Sequence, residues 1–292
     1  MSTLIRKATA VCAAAVLAGA VAPVAAASPA AQPASSTPTT FTTTGTAIGL
    51  SASGKSLSVF ALSLPTLALP LGRISGLSGD SRLVGIDYRV QDNTVYGVGN
   101  RGGIYTFALR KTKASKVFQL TVPLVGTHFG VDFNPSADRL RVISDTGQNL
   151  RHNVNAGGVT LIDVPLTLNG AAATGVTAAA YVNNDLVAST ATVLYDIDTR
   201  NDTLVEQTPA NDGTLKTLGA LRTSAGSVAG FDIATTVDSA GAAVGNAGWV
   251  TLRAPKAKNS TLYKIDLGTG RLQTVGRFLL ADVADLAIIQ PR

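Results

Sequence analysis

Four aspartates recur in one local pattern along this chain. Each stands in a short segment of the form Gly, apolar, Asp, apolar, or a close variant of it. The four acids are Asp87, Asp132, Asp232 and Asp285. Carboxylate oxygens are preferred ligands of Ca²⁺, so acids that converge from separate segments could hold a metal ion. The pattern makes these four residues the candidate metal ligands of the protein, with calcium as the ion.

A structural role competes with metal binding at these positions. An acid that repeats at the same place in successive units serves more often in a repeated hydrogen bond than in one site, because buried acids persist when they are paired. A fifth matching segment, Gly175 to Ala178, carries Thr177 in place of the acid and would leave a ring of carboxylates incomplete. The structural role is therefore expected, and no cofactor is predicted.

Two further motifs have simple structural interpretations. Asp196, Asp198 and Asp202 are spaced as in a calcium loop, but Arg200 interrupts them, which favours a turn held by Asx-type hydrogen bonds. The G-x-G-x-x-G sequence from Gly97 to Gly102 matches a dinucleotide motif. That motif needs a helix immediately after it, and an alternating strand-like segment follows here, so a turn is predicted.

The two histidines, His128 and His152, are the remaining candidates for acid–base chemistry. A metal or general-base role needs partners that the sequence does not place, so an ordinary surface or hydrogen-bonding role is predicted for each.

Repeated hairpins must position these side chains. Leu194 to Leu204 and Leu262 to Leu272 each contain an alternating strand, a polar turn and a second strand, and looser copies begin at Leu57, Ile104 and Asn149. A further strand is predicted between each Asp-type segment and its hairpin. These strands are Thr94 to Val98, Arg139 to Ile143, Asp185 to Ala188 and Gly248 to Leu252. Units of about 45 to 55 residues with four short strands are typical of β-propeller blades.

The order of the strands also predicts how the propeller closes. The chain ends with a first strand, Val283 to Ile289, whereas a second strand around Thr46 to Leu50 starts the repeats. The sequence thus predicts an all-β fold, a β-propeller of five four-stranded blades closed by pairing of the N- and C-terminal strands, which leaves no open edge in the ring. The residues before Trp249 are expected to form a long irregular loop.

The N-terminal residues have the order of a secretory signal peptide. Arg6 and Lys7 precede an apolar run, and Ala25 and Ala27 fit an A-x-A cleavage site. The predicted organisation is a signal peptide over 1–27, a flexible Ala/Pro/Ser/Thr-rich spacer over 28–44 and one propeller domain over 45–292. The only cysteine, Cys12, lies within the signal. The mature extracellular chain would therefore have no disulfide, thiolate metal site or cysteine nucleophile.

Charge indicates little about partners. The net charge of +6 is small, and its densest basic cluster, Arg110 to Lys116, lies in a predicted turn without interleaved aromatic residues. Nucleic acid is therefore not an expected partner. A monomer without a membrane anchor is predicted, and its partner is an unknown protein, glycan or envelope component.

The repeats also resemble a known family. The segments Asp92 to Gly97 and Phe133 to Val142, with the Leu-Tyr-x-Ile-Asp hairpins, are similar to the bacterial secreted family catalogued as domain of unknown function 4394. The resemblance covers nearly the whole chain after the spacer and implies no established activity. A non-catalytic binding or scaffold module is expected rather than an enzyme. The alternative is a metal-dependent, lactonase-like hydrolase with aspartate ligands in the central channel.

Overall fold

A computed structural model describes residues 45–187 and 189–290. The predicted signal peptide, 1–27, and spacer, 28–44, lie outside the described residues. The described chain is almost entirely β-structure, arranged as five sheets around a common axis. This confirms the predicted all-β, five-bladed propeller. In the described residues no helix is long and apolar enough to cross a membrane.

Blade I contains the first three strands of the described chain. They are β1 (Thr46–Ser51), β2 (Ser56–Ala61) and β3 (Leu69–Arg73), with the 3-10 turn η1 (Pro65–Leu67) before β3.

Blades II and III are regular four-stranded antiparallel sheets. Blade II contains β4 (Leu83–Arg89), β5 (Thr94–Gly99), β6 (Gly103–Phe107) and β7 (Ser115–Gln119). Blade III contains β8 (Phe129–Asn134), β9 (Arg139–Ser144), β10 (Asn149–His152) and β11 (Thr160–Ile162).

Blade IV has two additional short strands. The hairpin of β12 (Thr167–Leu168) and β13 (Ala171–Ala172) precedes the blade in the chain. The blade itself contains β14 (Val176–Tyr181), β15 (Leu194–Asp198), β16 (Thr203–Gln207) and β17 (Thr214–Ala220), with the 3-10 turn η2 (Ala210–Asp212) before β17. Strand β12 pairs in parallel with β17, so the hairpin covers the outer edge of this blade.

Blade V and the closing strand complete the ring. Blade V contains β18 (Ala229–Val237), β19 (Ala243–Leu252), β20 (Thr261–Ile265) and β21 (Leu272–Arg277). The last strand, β22 (Val283–Ile289), returns to blade I and pairs antiparallel with β1, with Ile289 opposite Thr46. The predicted closure by the two ends of the chain is therefore confirmed.

The inner strands of the five blades, β22, β4, β8, β14 and β18, pack against one another around the axis. Every residue of β14 is buried, because both faces of an inner strand contact neighbouring blades. Two neighbouring inner strands can approach each other closely where one of them has a glycine. A Cβ atom on Gly130 would lie 2.6 Å from the backbone nitrogen of Ala179 in the next blade. Gly85 and Gly230 are packed as closely against neighbouring blades, so the glycine that opens three of the four Asp-type segments permits tight packing of the inner strands.

The predicted strand at Asp185 to Ala188 is wrong. Residues 182–187 form a loop, and β15 pairs directly with β14. The Asp185 carboxylate accepts hydrogen bonds from the backbone N–H groups of Val187 and Ala243, at 2.9 and 2.8 Å, which hold the loop against blade V. The hairpin at Leu194 therefore supplies the second and third strands of its blade, whereas the hairpin at Leu262 supplies the third and fourth. The similar sequences reflect a shared turn and not a shared position in the blade.

The expected irregular loop before Trp249 is also wrong. Strands β18 and β19 pair over their whole length, from Ala229 opposite Leu252 to Val237 opposite Ala243. The Asp238 carboxylate accepts hydrogen bonds from the N–H groups of Ala240 and Ala242 at the tip of this hairpin. Small residues and glycines conceal the alternation that a long hairpin usually displays.

Candidate functional site

Aspartates of blades II, III and V converge near the axis. One carboxylate oxygen of each of Asp87, Asp132 and Asp232 lies within 4.8 Å of the others, and all three residues are buried. We call these three residues the axial cluster. Hard cations bind groups of carboxylate oxygens, so the axial cluster could hold a metal ion.

Each member of the axial cluster also links its own blade to the next one. Its Oδ2 atom accepts a hydrogen bond from a backbone N–H group of the adjacent inner strand. The pairs are Asp87 with Phe133 (2.7 Å), Asp132 with Tyr181 (2.9 Å) and Asp232 with Ile288 (2.5 Å). The carboxylates thus act in the structural role that the sequence predicts, in addition to any binding of an ion.

Asp285 does not occupy the same position as the other three acids. Asp232 bonds to the N–H group of Ile288, so Ala287 is the residue of blade I that corresponds to the axial cluster. Asp285 lies two residues earlier, where blade II has Gly85, and its Oδ2 accepts a hydrogen bond from Ile86 N at 2.9 Å. By the same register Ala180, not Thr177, corresponds to the acid in blade IV. The sequence similarity around Asp285 conceals a shift of two residues along the strand.

Burial changes the acid–base behaviour of these carboxyl groups. Desolvation raises the pKa of Asp232 to about 7 and that of Asp285 to about 8. Burial also raises the pKa of Asp87 and of Asp132 well above the ordinary value, and repulsion between the carboxylates adds to the shift. Close carboxylates cannot all ionise without a compensating cation, so the axial cluster holds protons at a pH where exposed aspartates have lost them.

We expect the melting temperature to rise as the pH falls from 8.5 to 6.5, above the range in which His152, whose pKa is lowered by burial, opposes the trend. A carboxyl whose pKa is raised in the folded state binds more protons when folded, so its contribution to stability is greatest in acid and is lost as the pH rises through the folded pKa. Circular dichroism melts measure the trend. Asp138 and Asp145, whose pKa values are lowered by their hydrogen bonds, act in the opposite direction only below about pH 4. A melting temperature that increases with pH over this range would contradict the prediction.

Two substitutions at Asp132 separate charge from hydrogen bonding. D132A removes the acceptor for Tyr181 N and is expected to lower stability by about 1–3 kcal/mol. D132N keeps an acceptor oxygen and removes the charge, so its expected stability at pH 8 equals or exceeds that of the wild type, with a weaker dependence on pH. Denaturant titrations at pH 5 and pH 8 measure both effects. Equal losses in the two variants would show that the charge itself is required.

The histidines lie at opposite ends of blade III. His128 precedes β8, and its Nδ1 atom lies 3.2 Å from Asp145 Oδ2, whereas His152 ends β10, which runs in the same direction as β8. His152 is buried, its Nδ1 lies 3.0 Å from Thr160 Oγ1, and burial lowers its pKa. The structure does not bring the two side chains into one site.

The turn interpretations of the two other motifs are confirmed. Asp198 Oδ1 accepts hydrogen bonds from the N–H groups of Arg200 and Asn201, both at 3.0 Å, which is an Asx-type turn. Gly99 and Gly103 belong to paired strands β5 and β6, so the G-x-G-x-x-G segment is a hairpin turn. Asp196 takes no part in this Asx turn; it lies within β15 and is fully buried.

A cavity of about 420 Å³ lies where the inner strands end. Its lining includes Val90 after β4, Thr235 near the end of β18 and Gln290 after β22, with the loop 184–187 of blade IV. We call it the mouth cavity. Its side chains were missed in the sequence because they come from four blades and share no motif.

The loops around the mouth cavity are held in place by hydrogen bonds. Gln290 Oε1 accepts from Thr235 N at 3.1 Å, and its Nε2 donates to Ile233 O at 3.2 Å. Leu186 and Val237 line the same cavity and remain 55% and 37% exposed. The cavity therefore combines a pre-formed polar rim with accessible apolar side chains, as small-molecule sites commonly do.

The fold and the axial cluster define a class, a five-bladed β-propeller whose inner strands are linked by buried carboxylates. The chain belongs to the family described as Domain of unknown function (DUF4394), whose model matches residues 56–287. This confirms the family resemblance. No curated protein matches the sequence.

Several solved structures are similar to the chain at low identity. An auxiliary nutrient binding protein from Bacteroides ovatus is 14% identical, with a TM-score of 0.40 and coverage of 76% of this chain and 56% of that one. A Bacteroides thetaiotaomicron protein of unknown function is 14% identical, with a TM-score of 0.48 and coverage of 84% and 64%. Myxococcus xanthus glutaminyl cyclase is 15% identical, with a TM-score of 0.44 and coverage of 77% and 83%. The chain spans less than two thirds of the first two proteins. With TM-scores below 0.5, these similarities carry no argument about function.

Proposed function

We propose that this protein is a secreted, extracellular binding module whose ligand occupies the mouth cavity. The mouth cavity carries the proposal, because loops from several blades converge there around accessible apolar groups. A second cavity is lined by fewer elements of the fold. The cavity of about 480 Å³ between Lys264 and Gln273 is lined only by the two strands of one outer hairpin.

Charge limits the kind of ligand. Among the described residues, the lining contains the carboxylates Asp185 and Asp238 but no lysine or arginine. An anionic ligand would meet only like charge there, so the ligand is neutral or cationic. Among the expected partners, a neutral glycan or the uncharged or basic side chains of an envelope protein satisfy this condition.

The exposed Leu186 provides a test. L186Q replaces an apolar side chain of the wall by a polar one of similar size and no charge, and is expected to weaken binding at least tenfold while leaving the melting temperature within about 1 °C, because surface substitutions rarely change stability. A glycan and peptide array, followed by calorimetric titration of each binder, measures the effect. L161Q is the matched control, since Leu161 is 43% exposed on β11 of blade III. Binders that tolerate L186Q as well as they tolerate L161Q would overturn the proposal.

A metal-dependent hydrolase is the second candidate, because the axial cluster could hold a metal ion. This function requires a cation whose binding depends on the three carboxylates. Calcium or zinc titration of the wild type and D132N, with assays on a panel of lactones, tests it. Metal binding and lactone hydrolysis that are both lost in D132N would favour the hydrolase over the binding module.

A further inference from the structure

A third cavity opens on the face of the propeller opposite the mouth cavity. Its volume is about 310 Å³, and it lies where the inner strands β14 and β18 begin, whereas the mouth cavity lies where the inner strands end. We call it the lower cavity. Its lining comes from blades III, IV and V, and four of the lining residues carry hydroxyl groups. These are Thr174, Thr177, Thr199 and Ser227.

Arg200 supplies the only positive charge that the described residues contribute to this lining. Its Nη1 atom donates a hydrogen bond to Thr174 Oγ1 at 2.5 Å. Gly175 makes room for the base of the side chain, since a Cβ atom there would lie 2.4 Å from Arg200 Cβ. Asp198 fixes the backbone, because its Oδ1 accepts a hydrogen bond from Arg200 N. The guanidinium group is therefore held at the wall of the lower cavity, although it is exposed to solvent.

No carboxylate pairs with Arg200 in the part of the chain that the structure describes. The one acid of the lining, Asp145, is engaged within blade III. Its Oδ1 accepts a hydrogen bond from Thr127 N at 2.9 Å. Its Oδ2 accepts from Thr127 Oγ1 at 2.5 Å and lies 3.2 Å from His128 Nδ1. Three groups thus already face the Asp145 carboxylate, and Arg200 is left as the unpaired charge of the lower cavity.

Two of the four hydroxyl groups are free to donate. Thr199 Oγ1 donates to Gly175 O at 3.0 Å and accepts from Thr177 Oγ1 at 3.2 Å, so both of these protons are used within the wall. Thr174 Oγ1 accepts from Arg200 and keeps its own proton. Ser227 Oγ makes no hydrogen bond to the described residues. The lower cavity therefore offers a guanidinium group and two hydroxyl donors that come from separate segments of the chain.

We propose that the lower cavity binds a tetrahedral oxyanion, the sulfate or phosphate group of a ligand. Arginine presents a planar fork of N–H donors to the oxygens of such anions, and hydrogen bonds between charged groups are the strong ones. Thr174 and Ser227 can donate to further oxygens of the same anion. Donors that surround a cavity suit a tetrahedral group better than a carboxylate, whose oxygens lie in one plane. The two faces of the propeller would thus take ligands of different charge, because an anion in the mouth cavity meets only like charge.

Titrations with sodium sulfate and with sodium phosphate, followed by ¹⁵N NMR against sodium chloride of equal ionic strength, test the site. We expect saturable shifts of the amide signals of Gly175, Arg200 and Ser227, and the anion that binds more tightly identifies the group. R200Q should weaken binding about tenfold or more, the loss that accompanies one hydrogen bond to a charged group. R271Q is the matched control, because Arg271 is an exposed arginine beside the outer hairpin of blade V. It should bind as the wild type does.

D145N should have the opposite effect to R200Q. It removes the negative charge of the lining, so the anion should bind more tightly, whereas a variant that only disturbs the fold would bind it less tightly. Three results would overturn the proposal. The first is a set of shifts that does not saturate or that sodium chloride reproduces. The second is equal binding by R200Q and R271Q. The third is loss of sulfate binding in L186Q, which would place the anion in the mouth cavity.

Discussion

A chain that ends at Asp282 is expected to lose its folded structure rather than one blade. This truncation removes β22, which is the inner strand of blade I and lies between β18 and β4. The buried residues Leu286, Ala287 and Ile288 would be lost, together with the amide that Asp232 binds. The remaining edges of β1, β18 and β4 would be exposed in a protein whose whole stability is only about 5–15 kcal/mol.

Solubility, size-exclusion chromatography and thermal melts measure the effect of this truncation. A chain that ends at Gln290 is the control and should behave as the wild type. An open, solenoid-like array would lose only its terminal unit, since each repeat there contacts only its neighbours. A truncated protein that remains soluble, monomeric and nearly as stable as the parent would therefore rule out the closed ring.

A circular permutant tests the same closure by rescue. Thr46 and Ile289 are opposite one another in the β1–β22 pair, so a short loop can join residue 290 to residue 45. New ends in the loop between β3 and β4 would leave every strand of blade I in one continuous segment. We expect this permutant to fold with a melting temperature close to that of the wild type.

Replacement of Arg141 by methionine is expected to cost about 3–5 kcal/mol of stability. The arginine is 97% buried and makes hydrogen bonds to four side chains at the interface of blades III and IV, of which Tyr181 and Asn211 belong to blade IV. Methionine occupies a similar volume but leaves Asp163 and Asn149 with buried acceptors that have lost their donor. The main source of the loss is the buried Asp163 carboxylate, which keeps only the partly exposed Arg151 as a charged partner.

Arg151 supplies a matched control for Arg141, because it binds the other oxygen of the same carboxylate, Asp163 Oδ1, at 3.0 Å. Its side chain is 33% exposed, so R151M should cost less than about 1 kcal/mol. Urea denaturation of both variants gives the comparison. Equal losses of stability in R141M and R151M would mean that burial of an ion pair does not determine how much it stabilises the protein.

The local pattern of the chain was sufficient to predict the propeller. Alternating apolar residues bounded by Gly, Asn and Asp, repeated in units of four strands, define blades whatever their exact lengths. Closure was predicted because the first unit lacks its first strand and the end of the chain supplies only a first strand. Strand β22 therefore completes the blade that contains β1. The pattern failed at Asp185 and before Trp249, because a short apolar run can be a loop, and Gly and Ala can replace the larger residues of a strand.

The sequence also predicted that Asp87, Asp132 and Asp232 lie on the first strand of successive units, because the same local pattern precedes each set of hairpin strands. Only the tertiary structure decided where each acid points. The shift of Asp285 by two residues depends on how β22 packs against β4, and a local motif contains no information about this register. The mouth cavity and the lower cavity arise between elements that are distant in the chain. Contacts of this kind exist only once the ring has closed.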